Sequence, residues 1–158
     1  MKSNKGHILF WCIAPLIIGF PIPSLVIFYL EVFVAHPSPA AAMSDILHRQ
    51  FAEGENLFLL AVFSLIPFGA LSLLCFGAAN RFSPARLACF GTGGLLGILA
   101  FMIPCHWGVW CPLYSGEHMS STAVIAFVFI PFYCFVPMGI GLLIGWCISL
   151  FFRPKLSQ

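Results

Sequence analysis

Long uncharged runs constrain this chain more than any other feature. Residues 57–79, 87–107 and 122–152 contain no Asp, Glu, Lys or Arg, and residues 8–35 contain a single charged side chain, Glu31. About 20 consecutive apolar residues cross the ~30 Å hydrocarbon core of a bilayer as an α-helix. Inside lipid only helices and closed barrels satisfy the backbone. The four runs therefore predict an all-α membrane protein with four transmembrane helices, forming one integral membrane domain over residues 1–158. Composition points the same way. Hydrophobic residues make up 61% and charged residues 8%, whereas about a quarter of an ordinary soluble domain is charged. In water, 18 Phe in a chain of this size would leave large apolar patches.

Lys2 and Lys5 precede residues 8–35 in the manner of a secretory signal. A signal's apolar region is only about 7–15 residues long, however, so this run is expected to be an uncleaved signal-anchor helix. Orientation follows from the bases. Lys2, Lys5, Arg81, Arg86, Arg153 and Lys155 lie before helix 1, in the segment 80–86, or after helix 4. Those three segments fall on one side of a four-span topology, which predicts that they are cytoplasmic, with both termini inside. The acids agree: Glu31, Asp45, Glu53, Glu55 and Glu117 sit in or beside the outer loops 36–56 and 108–121. Trp11 and Trp146 then fall near the inner interface and Trp107 and Trp110 near the outer one, as an aromatic belt predicts. The location expected is a bacterial inner membrane.

Pro15, Pro21, Pro23, Pro67, Pro104, Pro131 and Pro137 fall within the spans. Each lacks a backbone donor and disturbs the turn before it, so a proline-kinked bundle is expected. In the first outer loop, Pro37-Ser38-Pro39 is followed by Met43, Ile46, Leu47 and Phe51 near helical spacing, which predicts a short helix lying at the membrane interface. Gly93 and Gly97 in helix 3, and Gly141 and Gly145 in helix 4, form small-xxx-small pairs that let backbones approach closely. Such contacts suit the packing of one bundle, and a homo-oligomer is compatible with them.

Candidate chemistry concentrates on the outer side. Cys105 and Cys111 bracket the end of helix 3 and are candidates for a disulfide, while Cys12, Cys75, Cys89, Cys134 and Cys147 read as buried small hydrophobes. His36, His48, His106 and His118 share that side with the acids, but neither His-Glu-x-x-His nor Cys-x-x-Cys occurs, so no metal or cofactor is expected. Glu31 lies in apolar company near the outer leaflet, where an acid marks a functional site by default, with Arg49, His36 or a second-loop His as partners. Ser120 or Ser121 reads as a helix cap, since no Gly-x-Ser-x-Gly turn supports a serine nucleophile. There is no phosphate loop, and no basic stripe suited to nucleic acid.

These readings predict a non-enzymatic membrane component that senses or binds a ligand, a membrane disturbance or a protein. Glu31, His36, His48, Arg49, His106, Glu117 and His118 are its candidate sensing residues. It would act through a cytoplasmic partner, in the manner of a defence, immunity or envelope-complex subunit. Arg81, Arg86, Arg153 and Lys155 would meet anionic lipid or that partner. The alternatives are an oligomeric conduit gated by apolar constrictions and a thiol-redox or metal-dependent enzyme at the outer face.

Overall fold

The computed structural model describes residues 3–53, 56–116 and 123–151. Expectations placed on Lys2, Glu55, Glu117, His118, Ser120, Ser121, Arg153 and Lys155 lie outside the described residues.

Among the described residues every regular element is helical. Helix α1 (Ser3–Gly19) and helix α2 (Ile22–Leu30) follow one another across an interruption at Phe20 and Pro21. Pro21 and Pro23 bring no N–H to the carbonyls of the preceding turn, so the regular ladder cannot run through. Bonds from Phe20 N to Leu16 O (3.1 Å) and from Leu25 N to Pro21 O (2.8 Å) bridge the gap. A π-helical turn, Glu31–Ala35, then ends at His36, which adopts a left-handed conformation at φ 62°.

Helix α3 (Pro39–Arg49) starts where the sequence places its signals. Ser38 caps it by accepting from Ala41 N at 3.3 Å, and Pro39 occupies the first turn, where its missing donor costs nothing. Asn56 caps helix α4 (Leu57–Ala79) through Leu59 N at 2.8 Å. Ser83 caps helix α5 (Pro84–Ser115) through Arg86 N at 3.4 Å, and Gly116 ends that helix at φ 81°. Helix α6 (Ala123–Tyr133) and helix α7 (Phe135–Phe151) meet at Cys134, a non-helical residue midway between Pro131 and Pro137.

Among the described residues, four helical stretches are long and apolar enough to cross a membrane: Gly6–Ala35, Leu57–Ala79, Pro84–Ser115 and Ile125–Phe151. The spans differ from the sequence reading in two respects. The third span does not stop at residue 107, because residues 108–115, assigned to the outer loop, continue α5. Apolar side chains carry on through Trp110, Leu113 and Tyr114; Gly108 stays helical, and the backbone turns left-handed only at Gly116. The first and fourth runs are each divided rather than continuous.

Neighbouring spans alternate in direction. Gly19 of α1 abuts Phe68 of α4, Gly94 of α5 abuts Leu71, and the α5–α7 seam pairs Gly93 with Gly141 and Gly97 with Pro137. The first and fourth spans both rest on the α4–α5 pair. Phe68, Leu71, Ile98, Met102 and Cys134 fill the shared interior, while Leu73, Val136 and Leu143 point outward.

The α5–α7 seam is the most extensive helix contact. A Cβ on Gly93 would strike the Gly141 carbonyl, one on Gly97 the Pro137 carbonyl, and one on Gly145 the Cys89 carbonyl. The glycines are thus consumed within one bundle. Trp11 and Trp110, which the sequence reading places near the interfaces, are covered within the bundle. Trp11 packs its ring on Gly91, and Trp110 is buried against Phe127. In each case a neighbouring helix covers the indole, a relation that sequence depth alone does not carry.

Candidate functional site

At one end of the bundle a polar chain joins three elements. Glu31 opens the π-helical turn and is only 4% exposed. Its backbone N–H bonds both Ile27 O and Phe28 O. π-Turns are rare and occur often at functional sites.

Tyr114, in the last turn of α5, donates its hydroxyl proton to Glu31 Oε1 at 3.1 Å. Arg49, at the end of α3, donates from Nη1 to the same hydroxyl oxygen at 3.2 Å. Its Nε pairs with Asp45 Oδ2, one turn earlier on α3, at 2.7 Å. The order is therefore Asp45, Arg49, Tyr114, Glu31, running from a half-exposed helix to a buried carboxylate. A buried charge is tolerated where it is paired and hydrogen-bonded. Glu31 Oε2, by contrast, makes no hydrogen bond of regular geometry, and the Asp45 carboxyl lies close to the Glu31 carboxyl.

A second tie runs beside the first. Gln50 Nε2 donates to Ser24 Oγ of α2 at 3.3 Å and to Ile46 O at 3.4 Å. Helix α3 is thereby fixed to both the first and third spans. Its inward face carries the buried Ala42 and Ile46, whereas Met43 and Leu47 (65% exposed) face outward, followed by Phe51 (73% exposed).

The structure brings Glu31 and Arg49 together as candidate partners, but through Tyr114, which the sequence reading did not single out. Its position 83 residues from Glu31 gave no local signal. His36 and His48 are exposed, at the end of the π-turn and on α3 respectively. His106 departs from the expected outer set. It is fully buried on α5, eight residues before Tyr114 or about 12 Å along the helix, with Nε2 3.5 Å from Ser64 Oγ of α4. Arg81 is exposed and Arg86 half-buried at the opposite end, beside the α4–α5 connection.

The Cys105–Cys111 bridge is not formed, and both are free thiols. They stand six residues apart on the uninterrupted α5, a rise of about 9 Å, whereas disulfides join Cα atoms about 4.4–6.8 Å apart. Among the described residues no three His, Cys, Asp or Glu side chains gather in a way that could hold a metal ion.

Fold and site together define a class: among the described residues, an all-helical protein with four helices able to cross a membrane and, at one end, a partly buried tyrosine–arginine chain leading to a buried acid. The chain matches no protein-family model, no curated protein and no solved structure.

Proposed function

We propose that this protein is a non-enzymatic sensor of the outer leaflet in a bacterial inner membrane, with both termini in the cytoplasm. Helix α3 lies in the interface, with Met43, Leu47 and Phe51 among the acyl chains. Disturbance of that leaflet shifts α3, and the Arg49–Tyr114–Glu31 chain carries the shift to the first and third spans. Proline-interrupted spans pass it to the basic cytoplasmic rim, where Arg81 and Arg86 meet an acidic protein partner. One observation carries this reading: a helix with an apolar outward face is tied to two spans by a partly buried polar network that ends on a buried carboxylate. Such a helix is placed to feel lipid on one side and to move protein on the other.

Hydrogen exchange on the protein in liposomes tests it. Added lysolipid in the outer leaflet is expected to lower the protection of the α3 amides, and Tyr114→Phe to lower it at rest. Unchanged α3 protection under both conditions would sink the proposal. Planar-bilayer recording supplies the other arm: steady or triggered conductance from purified protein would replace the sensor with an oligomeric conduit.

A further inference from the structure

The sensing network leaves a second set of buried polar groups unused. His106 and Ser64 are both 0% exposed and join α5 to α4. Trp110 lies one turn beyond His106, on the same side of α5. Phe127 of α6 covers both rings, at 5.8 Å and 25° from His106 and at 4.9 Å and 37° from Trp110. Yet His106 Nδ1 and Trp110 Nε1 are buried with no hydrogen-bond partner. In an apolar interior each such atom costs free energy on the scale of a lost hydrogen bond.

Prolines leave acceptors at neighbouring positions. Pro67 and Pro131 have no N–H, so the carbonyls of Phe63 and Phe127 lose their regular helical donors. Phe63 precedes Ser64, and Phe127 supplies the covering ring. Donors without acceptors on α5 thus pack against two helices that each carry a carbonyl without its helical donor.

We propose that His106, Trp110 and Ser64 form a buried hydration site between α4, α5 and α6, bridged to proline-released carbonyls by water. The occupant must be small, because His106 is wholly enclosed, and neutral, because the described groups at the site carry no fixed charge. It must also donate and accept. The indole N–H only donates, so a molecule receiving its proton needs a further acceptor. Water meets all these demands, and it serves either tautomer of His106. With Ser64 donating to Nε2, Nδ1–H is a second donor; with Nε2–H donating to Ser64, Nδ1 is an acceptor. This site is separate from the Glu31 network and does not rest on the sensor reading.

The test is water-to-indole magnetisation transfer by NMR, on protein labelled with ¹⁵N-Trp in lipid nanodiscs. The Trp110 indole resonance, assigned by its loss in Trp110→Phe, is expected to show a water cross-peak despite its burial. His106→Phe is expected to abolish that cross-peak. Pro131→Ala, which restores a donor for the Phe127 carbonyl, is expected to weaken it and serves if His106→Phe does not fold. Absence of a water cross-peak at Trp110 in the folded wild type would overturn the proposal. So would a cross-peak that persists at full intensity in every folded member of this variant pair.

Discussion

Glu31 and Tyr114 stand 83 positions apart in the chain and meet through one hydrogen bond, the tyrosine hydroxyl donating to the carboxylate at 3.1 Å. The same hydroxyl oxygen accepts a hydrogen bond from Arg49. One phenol therefore fixes the π-turn of the first span to the end of the third and couples both to α3. Removing it leaves a buried carboxylate and a guanidinium without the group that lies between them.

The Glu31–Tyr114 bond is expected to appear as a coupling energy. Tyr114→Phe should destabilise the protein by roughly 1–3 kcal/mol, the range for loss of a buried hydrogen bond that leaves its acceptor unsatisfied. In a double-mutant cycle with Glu31→Met, which has no oxygen acceptor, unfolding in detergent should reveal a coupling of about 1 kcal/mol. Single-mutant effects that simply add would show that the two side chains do not depend on one another.

Helix α3 depends on its cap. Ser38 accepts from Ala41 N, and Ser38→Ala should weaken the first turn by about 1 kcal/mol. Because that bond is exposed, the loss should stay local. Faster amide exchange is expected in the first turn of α3, with exchange in α4 and α5 unchanged.

The seam between α5 and α7 should respond to glycine substitution according to position. A methyl group at Gly141 meets the Gly93 carbonyl, and backbone cannot swing aside. Gly141→Ala should therefore cost about 1–3 kcal/mol, the usual range for overpacking. Gly139, two residues earlier, has nothing within 4 Å of an added Cβ, so Gly139→Ala should fall within about 0.5 kcal/mol of the parent. Equal effects at the two sites in thermal unfolding would contradict the observed seam.

All seven cysteines should react as thiols. After denaturation without reductant and exhaustive alkylation, mass spectrometry is expected to find seven additions. Five additions, with Cys105 and Cys111 linked in a single peptide, would require α5 to be broken between them.

Membrane character and number of spans are legible in the sequence because they depend on runs of apolar residues, a property that needs no partner to define it. Caps are local too, although the sequence reading did not single out the three seen here. Ser38, Asn56 and Ser83 each bond a backbone N–H three positions away, so the signal and its effect lie in one stretch of chain. The extension of α5 to Ser115 is less legible. Gly108 and Pro112 resemble stop signals, yet α5 runs through both and is stopped only at Gly116.

The site is legible only in part. Glu31 stands out because a carboxylate in an apolar run is conspicuous wherever the chain goes, and Arg49 follows as a nearby opposite charge. Tyr114 does not stand out, since a tyrosine near the end of a span is ordinary. His106 resembles an outer-face residue because chain position gives depth along a helix but not the direction in which a side chain points. That direction is set by the packing of α4 and α6 against α5, which encloses His106 between Ser64 and Phe127. Apolar length, charge placement and local caps were thus determined by the sequence alone. Which polar groups meet was decided only by tertiary structure, because those meetings join residues tens of positions apart whose encounter depends on the rotation of each helix about its own axis.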